Sequence, residues 1–182
     1  MEKLIFPLYL LPPLDYIQAM IAKPKAYIST GELFQKQTFR NRFEIMSPNK
    51  RHMLSVPVQK GKTKLRMKEV KISYAEPWPR KHWQALETAY ENSPFFEYYD
   101  YKLKPIFTAD YEFLWEYNYA LLKEVLRYLK VDIELELTDE LPNTEALIVK
   151  QTTPEYDQVF MEKHGFMNNL SVLDWVFNVG SI

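Results

Sequence analysis

Apolar positions change period once along this chain. Up to about residue 75 they come as short continuous runs or alternate with polar residues, and beyond it they recur every three or four residues. Leu4–Leu8 is a continuous apolar run and reads as a buried strand. Leu14, Ile17 and Ile21 share one face of a helix over Leu14–Ala22, which Pro24 ends. Ala26–Thr30 reads as a second strand, completing the smallest parallel strand–helix–strand crossover. Phe39–Met46 and His52–Val58 follow as strands joined by the turn-rich segment Ser47–Lys50. Pro57 has no amide hydrogen, so it suits an edge or a bulge. After the charged loop Gln59–Lys64, Met67–Ser73 alternates again and is expected to pair antiparallel with the preceding strand.

The second half predicts helices. Pro79–Glu91 has an apolar face of Trp83, Leu86, Ala89 and Tyr90, with Pro79 suited to the first turn. Ser93 is placed to cap a helix over Pro94–Tyr101. The longest helix is expected from Thr108 to Lys130, with Tyr111, Leu114, Leu121, Leu122, Val125 and Leu129 as its stripe. Val131–Leu137 alternates strictly and predicts a strand. A helix is expected from Thr153 to Gly165. Ser171–Asp174 has the spacing of a capping box opening a last helix before Gly180. The pattern gives one α/β domain over residues 1–182. A small mixed sheet, with an N-terminal strand–helix–strand unit and antiparallel strands, is packed by C-terminal helices.

Composition narrows the class without naming a function. At 47% hydrophobic residues, the chain can bury a core, and disorder is not expected. Cysteine is absent, which excludes disulfides and thiolate chemistry and fits a reducing cytoplasm. The apolar run Leu4–Leu14 carries Pro7, Pro12 and Pro13 and is too short to span a bilayer as a helix. No Gly-rich phosphate loop, His-Glu-x-x-His, Cys/His metal spacing or Gly-x-Ser-x-Gly elbow is present, so no metal or cofactor is indicated.

Charge changes the picture more. The net charge is only −1, yet residues 31–80 hold 12 Lys+Arg against 4 Asp+Glu. This block either holds an anion or is neutralised by acidic helices elsewhere. Its densest part is Gln35-Lys36-Gln37-Thr38-Phe39-Arg40-Asn41-Arg42. On a strand, Arg40 and Arg42 point to one face, roughly 7 Å apart, and Asn41 to the other. Two guanidinium forks so placed can clamp a phosphate or carboxylate, with Lys36 adding a point charge and Gln37 further donors. His82, in the first helical turn after Trp78, is a candidate general base, because the helix dipole there disfavours imidazolium. Packing among the tryptophans is the alternative for this residue. Asn118 interrupts the apolar stripe of the long helix and must bond either a loop backbone or a pocket ligand. His164, before Gly165, reads as a helix C-terminal residue. The run Phe95-Phe96-Glu97-Tyr98-Tyr99 reads as core aromatics, or as the lining of a sugar or base pocket.

Several motifs occur in a specific order: Pro7-Leu8-Tyr9, Asp15-Tyr16-Ile17-Gln18, Lys36 to Arg42, Leu54-Ser-Val-Pro-Val58, Trp78-Pro-Arg-Lys-His-Trp83 and Ala89 to Tyr99. This series resembles the WbqC-like proteins of bacteria. Tyr156 to Asn178 looks like the closing signature of that family. The resemblance implies an association with O-antigen and other surface-polysaccharide pathways. It also implies, for some members, glycine transfer to an amino sugar. It carries no established catalytic set. This chain has Ser29, Thr30 and Glu32 where many members have paired aspartates, and its segment Leu141–Thr153 is short.

Two functions follow as expectations. One is an acyl or aminoacyl transferase acting on an amino sugar or nucleotide-sugar. Lys36, Arg40 and Arg42 would hold the phosphate, His82 would take the amine proton, and Gln37, Asn41 or Asn118 would bond the oxyanion. The other is a non-catalytic module that binds a phosphorylated or nucleotide-linked sugar in the same pathway. Nucleic acid is not an expected partner, because the basic block carries no recognition motif.

Overall fold

A computed structural model describes residues 3–61, 63–149 and 152–182. Strand β1 (Ile5–Pro7) leads through helix α1 (Leu14–Ile21) to β2 (Lys25–Ser29), and the two strands pair in parallel. The crossover read from the sequence is therefore present. Pro24 stands just past the helix, where its ring ends the repeat.

A hairpin follows, β3 (Arg42–Met46) and β4 (Arg51–Ser55), antiparallel with Phe43 opposite Leu54 and Glu44 opposite Met53. Strand β5 (Glu134–Thr138) returns to pair in parallel with β2, Ala26 opposite Leu135 and Ile28 opposite Leu137. The fold is α/β, and the parallel and antiparallel strands form two sheets, β1-β2-β5 and β3-β4.

Helices α2 (Trp78–Tyr90), α3 (Phe96–Thr108) and α4 (Leu114–Tyr128) follow, with α2 packed on β3 and on α3, and α3 on α4. Short helices α5 (Glu145–Val149) and α6 (Met161–His164) and then α7 (Val172–Asn178) complete the chain. One core joins all layers: Phe6 and Ile28 from the parallel sheet, Phe43 and Ile45 from the hairpin, Leu121 and Val125 from α4, and Val176 and Phe177 from α7 are fully buried.

Several elements differ from the sequence reading. Met67–Ser73 is a 3-10 turn over Met67–Glu69 followed by single bridges, Val58 to Ile72 and Lys71 to Phe113. Its first amides donate to the exit of β2, Met67 to Glu32 and Lys68 to Thr30, which leaves too little free edge for a strand. The long helix is interrupted at 109–113. There the Ile72 amide donates to Glu112 and the Leu114 amide to Val70, so cross-chain bonds replace helical ones. Helix α3 in turn runs further than expected, through Pro105 to Thr108. The helix expected from Thr153 is confined to Met161–His164, because Tyr156 and Gln158 turn inward to the Asp174 carboxylate at 2.7 and 2.9 Å. Ser171 does cap α7, accepting from the Leu173 amide at 3.3 Å. Asp174 faces the core rather than closing a capping box.

Candidate functional site

Strands β1 and β2 run in parallel, so their carboxyl ends leave the sheet on the same side. That is where open α/β sheets place their ligands. From β1 the chain passes into Leu8 and Tyr9, and from β2 into Thr30, Gly31 and Glu32. The Glu32 carboxylate, buried, accepts from the Arg40 guanidinium at 2.5 Å. Burial pushes the Glu32 pKa up, while Arg40 and the Leu8 backbone amide oppose the shift. Glu145 on α5 lies 3.9 Å from the same guanidinium, near the surface.

Arg40 sits in the turn before β3 rather than on it, so the expected pairing of Arg40 and Arg42 on one strand face does not form. The residue sharing a face with Arg42 is Glu44, which Arg51 holds at 2.6 Å. Phe43 and Ile45 point the other way, into the core. One face of the hairpin is thus core, and the other, with Arg42, Glu44 and Met53, floors a cavity of about 550 Å3. Arg40 enters that cavity from the turn, its guanidinium 5.4 Å from the Tyr9 ring centre. Tyr9 and Phe39, 5.6 Å apart between centroids, form the aromatic wall. Residues 34–37 alternate: Gln35 and Gln37 line this cavity, while Phe34 and Lys36 line a smaller one of about 250 Å3. Lys36 is therefore not part of the clamp.

Asn41 and Asn118 are built into the frame. Asn41 accepts from the Gln37 amide at 3.2 Å and donates to the Val56 carbonyl at 3.2 Å. It thereby holds Gln37 in a left-handed conformation, φ 63°. Asn118, fully buried on α4, donates to the Arg40 carbonyl at 2.7 Å and the Leu8 carbonyl at 3.4 Å. It ties the exit of β1 to the arginine turn, so neither amide is free to hold an oxyanion.

His82 is not in the cavity. It is buried on α2 against Trp78 and Phe43, 5.1 and 5.9 Å between ring centroids. Burial lowers its pKa to about 4, with the nearby Ser55 backbone opposing. Helix packing, more than the helix dipole, keeps it neutral. A ring sealed from the cleft cannot exchange a proton with a substrate there. Among Phe95–Tyr99, Phe96 packs in the core and Tyr98 stands exposed.

Four of the twelve cations of the basic block are ion-paired among the described residues. Besides Arg40 and Arg51, Lys68 pairs with Asp139 and Lys71 with Glu112, each at 2.7 Å. Arg42 makes no ion pair among the described residues. Buried side-chain polar atoms without a partner gather at the same place. Of seven among the described residues, Arg40 Nε and Arg42 Nε belong to residues that line the cavity, and Glu32 Oε1 and Asn118 Oδ1 belong to residues bonded to Arg40. Native interiors rarely leave such atoms unpaired.

A model of the WbqC-like protein family matches residues 8–150, most of the chain. The chain belongs to that family. No curated protein and no solved structure matches it. The match of this WbqC-like chain takes in Tyr9, the 35–42 cluster, Asn118 and Glu145, so the whole cavity lies inside the family's domain. It stops short of Tyr156–Asn178, the segment read as a closing signature. Among the described residues no helix is long and apolar enough to cross a membrane.

Sequence reading had missed Tyr9, Glu32, Phe39 and Glu145 as parts of the site. Tyr9 and Glu32 were legible in principle, since each follows a strand of the predicted parallel pair.

Proposed function

We propose that this cleft binds a phosphorylated or nucleotide-linked sugar, as a binding protein of a cytoplasmic surface-polysaccharide pathway. The carrying observation is a cavity lined by two arginines, of which Arg40 is held by Glu32 while Arg42 makes no ion pair among the described residues and has its Nε without a partner. An anion on Arg42 supplies the acceptors that its guanidinium lacks. Tyr9 and Phe39 offer an apolar wall for a sugar or base ring. The volume falls within the range of about 300–1,000 Å3 usual for small-molecule sites.

Transfer of an acyl or glycyl group to the bound sugar is the enzymatic form of this reading. It needs a proton acceptor beside the amine, and the imidazole expected to serve is buried elsewhere. The binding form therefore has the better support. Calorimetric titration with glucose 6-phosphate tests it. Arg42→Gln is expected to weaken binding about tenfold or more, as loss of a charged hydrogen-bonding partner does. Binding in the unmodified protein should fade as salt rises. Equal affinities for the two proteins, or no binding to either, would remove the proposal. An acyl product formed by the unmodified protein from a glycyl or acyl donor would restore the transferase.

A further inference from the structure

The smaller cavity lined by Phe34 and Lys36 lies where two segments of the basic block meet. The Phe34 amide donates to the Leu65 carbonyl at 2.9 Å, and Leu33 bridges Arg66 antiparallel. The loop 59–66 is thus bonded to the chain leaving β2. It is strongly basic: Lys60, Lys62, Lys64 and Arg66 follow one another with no acid between them.

These charges are largely unanswered. Lys36, Lys60 and Lys64 are exposed and make no ion pair among the described residues. Two acids beside the loop are already engaged, Glu69 by the Arg66 amide at 2.9 Å and Asp139 by Lys68 at 2.7 Å. Apolar groups stand among the cations. Leu33 is 52% exposed beside Arg66, and Phe34, Val58, Leu65 and Val70 wall the cavity that Lys36 and Lys64 also line.

The kind of cation and the leucine together select the partner. A lysine ammonium is a point charge on a flexible stem, with no planar fork to orient one small anion. Several lysines suit an extended negative surface, where each adds attraction without fixed geometry. A dissolved anion or a nucleic-acid backbone answers the charges and leaves Leu33 in water. A lipid headgroup layer answers the charges and takes the leucine out of water.

We propose that Lys36, Lys60, Lys64 and Leu33 form a docking surface for an anionic lipid bilayer. The ammonium groups lie over the headgroup phosphates and Leu33 enters the interface. Docking there uses none of the residues that line the larger cleft.

Co-sedimentation of the full chain with vesicles tests this. Vesicles of phosphatidylcholine alone are compared with an equal mixture of phosphatidylcholine and phosphatidylglycerol. Binding is expected to the anionic vesicles only, and to fall as salt rises. Joint replacement Lys36→Gln, Lys60→Gln and Lys64→Gln is expected to weaken it about tenfold or more. The same change at Lys23, Lys102 and Lys123, exposed elsewhere, is expected to leave it in place. Leu33→Ser is expected to weaken it several-fold, because the apolar contribution is lost. No binding to anionic vesicles, equal loss in the two triple variants, or full binding by Leu33→Ser overturns the proposal. Displacement by millimolar inorganic phosphate at fixed ionic strength would make the patch a site for a dissolved anion. Preference for a single-stranded oligonucleotide over the vesicles, indifferent to Leu33→Ser, would assign it to nucleic acid. Either result overturns lipid docking.

Discussion

His82 shows how a single residue is misplaced by local reasoning. The sequence puts an imidazole in the first turn of a helix and predicts it neutral, and the structure keeps it neutral by burying it between Trp78 and Phe43. Its role is then one of stability. A histidine whose pKa is lowered by folding contributes stability that is present above the unfolded value. That stability is lost as pH falls through the folded one, here from about 6.5 toward about 4. The shift corresponds to about 3 kcal/mol. His82→Phe is expected to flatten the loss of stability over that window, read as urea midpoints at several pH values, and to leave phosphosugar affinity unchanged. A variant as acid-sensitive as the unmodified protein, or one with weakened binding, would contradict this. Asn118 behaves as the sequence required. An amide in an apolar stripe needs partners, and it finds them on the Leu8 and Arg40 backbones.

At the scale of elements, the carboxyl ends of the parallel strands set the site, and their close approach is enforced at Gly31. A Cβ there would lie 2.0 Å from the Asp139 carbonyl oxygen, inside any tolerable contact. Gly31→Ala must therefore push the exits of β2 and β5 apart. The expected cost is about 1–3 kcal/mol by urea denaturation, as for other overpacked sites. Weaker phosphosugar binding should accompany it, because the next residue, Glu32, holds Arg40. Unchanged stability would show that the two backbones separate freely. The elements themselves were legible wherever a period ran uninterrupted, as in α1, β2, β3 and β5. They were misread where bonds from distant chain replaced local ones: at 67–73, drawn to β2, at 109–113, drawn to 70–72, and at 153–158, drawn to Asp174.

For the whole molecule, the family match and the folding unit differ in extent. The match ends at residue 150, yet Val172, Leu173, Val176 and Phe177 of α7 are fully buried in the common core. The buried Asp174 accepts from Tyr90 on α2 as well as from Tyr156 and Gln158. A chain ending at residue 150 is therefore expected to lose its cooperative thermal transition, which calorimetry would show. A sharp transition near that of the full chain would make residues 152–182 an accessory. By itself the sequence determined the α/β class, the leading parallel crossover, the hairpin, the family and the stretch holding the arginines, because these depend on local period and residue order. Only the tertiary structure decided which cation is free, since an ion pair joins residues that no local pattern links. It gave Arg40 to Glu32, left Arg42 open beside Tyr9 and sealed His82 away from both, because burial and pairing are properties of the packed chain.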